Sequence, residues 1–346
     1  MGNHVLSSRQ AYASVPAQPL QQTSDMFTAD EIADARAIIH EAMPPTPQYA
    51  WPLLQAELGV ETWVKHENHT PTGAFKVRGG LVHMRKRAER GETNGVITAT
   101  RGNHGQSIPY AASRNGMKAT IVVPHGNSVE KNAAIRALGA ELVETGADFD
   151  EARVTCMQMA QERGLDMVPS FHRELVLGVS TYAHELFEAA GELDAVYVPI
   201  GMGSGCCGVI SARDHLGLKT KVIAVVSENA NCYKLSVEAG RPVETNSADT
   251  FADGMAVRVP HPDALEIISK GADEIVEVSD DQVADAIRLY YRATHNVAEG
   301  AGAAPLAGLM AQRTAMVGKR VGVILCGGNI DTGKMATVLE GKTPAP

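Results

Sequence analysis

Positive charge is the first thing in short supply here: 31 Lys and Arg stand against 40 Asp and Glu, a formal net charge of −9. The deficit removes the electrostatic footprint on which binding to nucleic acid or to an anionic membrane would rest. Cysteine is sparse too. The five, Cys156, Cys206, Cys207, Cys232 and Cys326, are odd in number and form no C-x-x-C pair. That excludes a disulfide framework and a zinc ribbon, and it fits a reducing, cytoplasmic setting. No basic, apolar and cleavable leader opens the chain, and Leu6 stands where a myristoylation start wants Ser or Thr. One uncharged run, 195–212, is long enough to raise the question of a membrane span. Pro199, Ser204, Ser211 and its glycines make it a strand followed by a glycine loop instead. What is present is 346 residues, 44% hydrophobic and 21% charged, which suits a globular protein of two domains or one large one.

Residues 1–24 are polar with Arg9 as their one formal charge, and 1–27 reads as a flexible arm. Thr28 with Glu31 three residues on is a capping-box pattern, predicting a helix to about Ala42, where Pro44, Pro45 and Pro47 stop it. Beyond it, β-branched runs alternate with stretches of helical spacing. Strands are predicted at 95–98, 119–123, 141–144, 195–198, 221–226 and 321–325. Such alternation implies an α/β protein with parallel sheets covered on both faces. Ligands of these folds bind at loops beyond the carboxyl ends of the strands.

Four loops carry the candidate chemistry: T-G-A-F-K-V-R-G at 72–79, T-R-G-N-H-G-Q at 100–106, G-M-G-S-G at 201–205 and C-G-G-N at 326–329. The loop 201–205 lets several N–H groups point at one anion, with a helix end behind them. It has no Lys-Ser or Lys-Thr for a P-loop and does not match the dinucleotide spacing, so a tight turn without a ligand is its alternative reading. Lys76 lies between Phe75 and Val77, an apolar setting that disfavours the ammonium form and makes a better nucleophile; a snorkelling surface lysine, the commoner case for a lysine taken alone, is the alternative reading. Asn103 and His104, between Gly102 and Gly105, suit either a small anion or a helix cap.

Taken together and in order, these motifs resemble the fold type II pyridoxal-phosphate enzymes, more narrowly the serine/threonine dehydratase and serine racemase family. The resemblance spans about Pro44 to Lys334. It implies the tryptophan synthase β-like architecture: two doubly wound domains of parallel or mixed sheets with the cofactor in the cleft. The large domain would comprise 28–90 and 173–346, and the small one 91–172. It further implies that Lys76 forms the Schiff base with pyridoxal 5'-phosphate and moves the substrate Cα proton, with Phe75 beside the ring. Asn103 would bond the ring hydroxyl, and Gly201, Met202, Gly203, Ser204 and Gly205 would cup the phosphate. Cys326 would face the pyridine nitrogen, and Glu299 would line the cofactor. Thr100, Arg101, Gly102, Asn103, His104 and Asp253 would surround the substrate. The implied activity is ammonia-releasing dehydration of an L-β-hydroxy amino acid, threonine or serine by default. 3-Hydroxyaspartate and phenylserine are the next substrates, followed by racemisation or β-replacement, and last a non-catalytic binding role. A homodimer is the family habit.

The departures from the family pattern carry expectations of their own. Cys326 replaces the family's Ser or Thr, and a neutral thiol donates weakly, so the ring nitrogen should stay largely unprotonated. Arg101 replaces the serine of racemases and cannot accept a proton, which demotes racemisation. Arg101 either pairs with a second substrate carboxylate or points to solvent or an acidic neighbour. The family's cation-site positions fall on Val225 and Asn231, with Glu228 as the acidic residue nearby, so no activating metal is expected. His295 reads as a capping or surface residue. The chain ends soon after 326–329, so a regulatory domain is not expected.

Overall fold

The computed structural model describes residues 26–147 and 149–346. The strands are β1 (Gln48–Ala50), β2 (Glu61–His66), β3 (Val96–Ala99), β4 (Ala119–Val123), β5 (Glu141–Glu144), β6 (Asp166–Met167), β7 (Ala195–Pro199), β8 (Lys221–Ser227), β9 (Glu274–Val278) and β10 (Arg320–Leu325). They form a six-stranded sheet of order β1-β2-β10-β7-β8-β9 and a four-stranded sheet of order β5-β4-β3-β6. All pairings are parallel except β1 with β2. The six strands predicted from β-branched runs are present within a residue or so. β1, β2, β6 and β9 were not predicted, because their polar and charged residues hide the pattern: β2 ends in Lys65 and His66, both fully buried.

The first helix runs from Ala29 to His40. Its capping box is complete: Thr28 Oγ accepts from Glu31 N–H (3.2 Å) while the Glu31 carboxylate accepts from Thr28 N–H (2.9 Å). Of the predicted arm, residues 1–25 lie outside the described residues. Met26 and Phe27 depart from that reading, because Phe27 is buried in the core under the Arg173 guanidinium and the Met26 carbonyl accepts from Arg173. An aromatic side chain at the end of a polar stretch gains enough from burial to order the chain there.

The helix Lys76–Glu89 is the structural hinge of the site. It packs on Asn103–Arg114 on one side and on Arg173–Ala190 on the other. The latter contact is backbone against backbone: a Cβ at Gly178 would lie 2.4 Å from the Arg78 carbonyl oxygen. Its first turn is anchored by a dry ionic cluster. Arg78, with no exposed surface, bonds Glu67 through Nε (2.7 Å) and Nη2 (2.9 Å), and Glu185 through Nη1 (2.7 Å) and Nη2 (2.8 Å). Thr181 accepts from the other Nη1 hydrogen (3.0 Å), and Thr46 shares Nη2 with the two carboxylates (3.2 Å). Burial works to raise the Glu185 carboxyl, but Arg78 and Lys65 override it and hold it down at about 2.

Candidate active site

β2, β10 and β7 are parallel neighbours, so the loops at their carboxyl ends, 67–75, 326–329 and 200–203, emerge side by side. The first two are zipped together. Phe75 N–H donates to the Cys326 carbonyl (2.9 Å), Gly328 N–H to the Gly73 carbonyl (2.9 Å), and Ala74 pairs with Gly327 in an antiparallel bridge. The fourth loop, 100–102, leaves β3 of the other sheet and faces them. Asn103 Nδ2 crosses to Glu299 Oε1 (2.6 Å) and Asn103 Oδ1 accepts from Asn329 Nδ2 (2.8 Å).

Lys76 lies where the four loops converge. Its ammonium donates to Ser204 Oγ (3.1 Å) and stands 4.8 Å from the Phe75 ring centroid. Its backbone carbonyl is fixed by Ser107 Oγ (2.6 Å). Burial depresses the amine to about 8, against the pull of Cys326 and Glu299. Burial also drives the Cys326 thiol well up, with Glu299 adding to it, so the sulfur is a neutral thiol. Glu299 is raised by burial too, more than Lys131 and Asn103 lower it. Burial, then Lys76 and His83, bring the His104 imidazole down to about 3, leaving it neutral.

Two helices begin at this point, and neither is capped by a side chain. Ser204–His215 starts behind Gly203 (φ +98°) and Asn103–Arg114 behind Gly102. Tyr182 donates to the Gly205 carbonyl (3.0 Å) and Tyr233 to the Met202 carbonyl (3.0 Å), so both phenols hold the loop through its oxygens and make no claim on its N–H groups. An uncapped helix start with free N–H groups is an anion site. His104 Nε2 is buried here without a hydrogen-bond partner, a polar atom that wants a ligand.

Of the residues singled out from sequence, Phe75, Lys76, Asn103, Ser204, Glu299 and Cys326 are brought into this one cluster, with 201–205 as its floor. Thr100 is buried beside it and its hydroxyl accepts from Gly102 N–H (3.1 Å). Arg101 is exposed, unlike Thr100 and His104. Asp253 is tied to Lys131 (2.9 Å) and Lys334 (3.6 Å). Asn231 donates to Glu277 (2.8 Å), and His295 caps the helix Asp280–Thr294 in the left-handed conformation. Sequence reasoning missed Ser107, Tyr182 and Tyr233, which act through backbone carbonyls and belong to no motif. It also missed His83, His172 and Glu174, whose ligand atoms lie within 4.8 Å of one another. There Glu174 is already bonded by His83 and Arg90, and His172 Nδ1 caps a helix.

A two-sheet α/β protein with an activated lysine between two uncapped helix starts is built to hold an anionic carbonyl compound. The family model of pyridoxal-phosphate dependent enzymes matches residues 39–327, and the chain belongs to that family. It is 35% identical over 300 residues to the biosynthetic L-threonine dehydratase IlvA of Salmonella typhimurium, covering 86% of this chain and 58% of that protein. It is 32% identical over 320 residues to the L-threo-3-hydroxyaspartate ammonia-lyase of Saccharomyces cerevisiae, covering 92% and 98%. Among solved structures, the processed form of threonine deaminase isoform 2 from Solanum lycopersicum superposes with a TM-score of 0.83 at 29% identity, covering 94% and 97%. The chain thus spans less than two thirds of the IlvA relative. The residues present fit pyridoxal phosphate: an amine for its aldehyde, an uncapped helix start for its phosphate, and a neutral thiol and an amide on the same cluster.

Proposed function

We propose that this protein is an ammonia-lyase that dehydrates an L-β-hydroxy amino acid, threonine or serine by default, to a 2-oxo acid and ammonia. The observation that carries the reading is the depressed Lys76 amine, held by Ser204 beside the uncapped helix start. Pyridoxal phosphate attached at Lys76 supplies the electron sink that acidifies the substrate's Cα–H and lets its β-substituent leave. The first turn of Ser204–His215 and the Ser204 hydroxyl would hold the phosphate, and Phe75 would flank the ring. The start of Asn103–Arg114, with Thr100, Gly102 and His104, holds the α-carboxylate. Lys76 Nζ, released when the substrate's own amino group takes its place on the cofactor, would take the Cα proton, its basicity lowered by burial to about 8. That proton and the β-hydroxyl leave as water. A second water replaces nitrogen by oxygen as the product hydrolyses, so the net products are the oxo acid and ammonia. Cys326, a neutral thiol, gives a ring nitrogen little proton, which suits elimination over a long-lived carbanion.

A second reading, 3-hydroxyaspartate as substrate, is favoured by exposed Arg101 within the carboxylate loop, where a guanidinium can pair with a second carboxylate. The yeast relative supports it. We further propose that residues 91–172 form the smaller of two domains, that the chain is cytoplasmic, in keeping with five free cysteines, and that it pairs as a homodimer. No helix among the described residues is long and apolar enough to cross a membrane. The test is to add L-threonine, L-serine, L-threo-3-hydroxyaspartate and phenylserine in parallel and measure ammonia. Release from threonine or serine supports the first reading. Release from the diacid alone, lost selectively in Arg101→Asn, supports the second. Release from none refutes both.

A further inference from the structure

We propose that Asn329 is a positioning residue: it sets which end of the Asn103 carboxamide is turned inward, and so makes Asn103 a hydrogen-bond donor to the ring hydroxyl oxygen of pyridoxal phosphate. The proposal rests on the reading of Lys76 as the attachment residue and of Asn103 as its neighbour at the ring. The two ends of a carboxamide have nearly the same shape, but one donates and the other accepts. Only fixed partners decide between them. Here the fixed partner is a backbone carbonyl, that of Thr72, which can only accept. It lies 2.8 Å from Asn329 Nδ2, so the Asn329 amide nitrogen is forced to that side.

The same nitrogen carries a second hydrogen, aimed at Asn103 Oδ1 (2.8 Å). Asn103 must therefore turn its oxygen toward Asn329 and its nitrogen the other way, where Glu299 Oε1 accepts one hydrogen at 2.6 Å. One N–H of Asn103 is left over. A polarity that begins at the Thr72 carbonyl is thus handed through two amides into the cofactor cluster. The seat of Asn329 is built for it. Gly73 has φ +69°, and a Cβ there would lie 2.4 Å from Asn329 Oδ1. The bond from Gly328 N–H to the Gly73 carbonyl keeps the two loops in register (2.9 Å).

A donor at the ring hydroxyl stabilises its anionic form, whereas an acceptor favours the protonated form, and the two absorb at different wavelengths. Asn329→Asp keeps the size but cannot donate to Thr72 or Asn103, and it attracts the Asn103 NH2 toward itself. In the holoenzyme the absorbance should move from the long-wavelength to the short-wavelength band. The dissociation constant of pyridoxal phosphate from the apoprotein should rise about tenfold, the value of one hydrogen bond to a charged oxygen. Asn103→Ala should do the same, and Asn329→Asp added to it should change nothing further. Asn329→Ala, which removes the donor to Asn103 Oδ1 and leaves Glu299 to hold the other end of the amide, should give a partial shift.

A band present in the wild type, lost in Lys76→Ala and unmoved in both folded Asn329 variants, overturns the proposal alone. So does an Asn329→Asp effect that persists undiminished in the Asn103→Ala background, or loss of the fold in both variants by circular dichroism, which would make the role structural. No band in the reconstituted wild type overturns the Lys76 reading and the proposal with it.

Discussion

Lys65 has no exposed surface, and its three ammonium hydrogens meet three fixed acceptors: the Thr46 carbonyl (2.8 Å), Gln48 Oε1 (2.6 Å) and Glu185 Oε2 (2.6 Å). Lys76, on the helix that follows, bonds the Ser204 hydroxyl at 3.1 Å and keeps part of its surface open to the cleft. Burial lowers both amines. Glu67 and Glu185 work against the shift at Lys65, and Cys326 and Glu299 at Lys76, which comes down to about 8. The same contrast holds for the groups around them. Arg78, Glu67 and Glu185 are paired with one another and with Lys65, Thr46 and Thr181, while burial makes Glu299 and Cys326 weaker acids and His104 Nε2 has no hydrogen-bond partner. A buried charge whose hydrogens are all accepted is part of the framework. One left incompletely paired is available for chemistry.

The largest expected effect is on the reactive lysine. Lys76→Ala should cut ammonia release by on the order of 10³-fold or more and abolish the absorbance of attached cofactor, with little change in the urea midpoint of the apoprotein. Retained turnover would break the contrast outright. Arg78→Met should do the reverse and destabilise the fold by about 3–5 kcal/mol, because Glu67 and Glu185 are left buried and unpaired. Urea unfolding of the apoprotein measures this, and a loss below 1 kcal/mol would mean that the cluster is no framework.

The pH dependence separates the two lysines further. A folded-state value near 8 against 10.5 for the free residue means that the unfolded chain binds more protons between those limits. The Lys76 contribution to apoprotein stability therefore rises as pH goes from about 8 to 10.5, and it disappears in Lys76→Met. The rate at which the apoprotein captures pyridoxal should rise with a midpoint near pH 8. A midpoint near that of free lysine would show that burial leaves the amine unchanged. The smallest effect is expected from Tyr182→Phe. It removes one hydrogen bond to the Gly205 carbonyl, costs about 1 kcal/mol of stability and weakens cofactor binding a few-fold, as read by titration of the apoprotein.

Much of the site was legible as strings. The loops around Lys76, Asn103, Ser204 and Cys326 carry their chemistry in a few adjacent residues, and the last three follow strands that the sequence predicts. The framework was not legible. Lys65 and His66 at the end of β2 look like surface positions until Glu185, Thr46 and Gln48 are set beside Lys65. Tyr182 and Tyr233 lie in segments with no motif, since a phenol holding a backbone carbonyl imposes nothing on the neighbouring sequence. Phe27 hid at the end of a polar stretch for the same reason: its partner, Arg173, lies far along the chain.

The sequence by itself determined the order of the four loops, the alternation that puts three of them at strand ends, the capping of the first helix at Thr28 and the chemical types brought to the cleft. These are local properties, set by side-chain size, backbone freedom and hydrogen bonds within a few residues. The tertiary structure alone decided that Lys65 is framework, how far burial shifts Lys76 and Cys326, and which way the Asn103 amide is turned. Acidity and hydrogen-bond polarity depend on the atoms within a few ångströms. For Lys76, Asn103 and Cys326 those atoms come from loops that meet only when the two sheets are assembled.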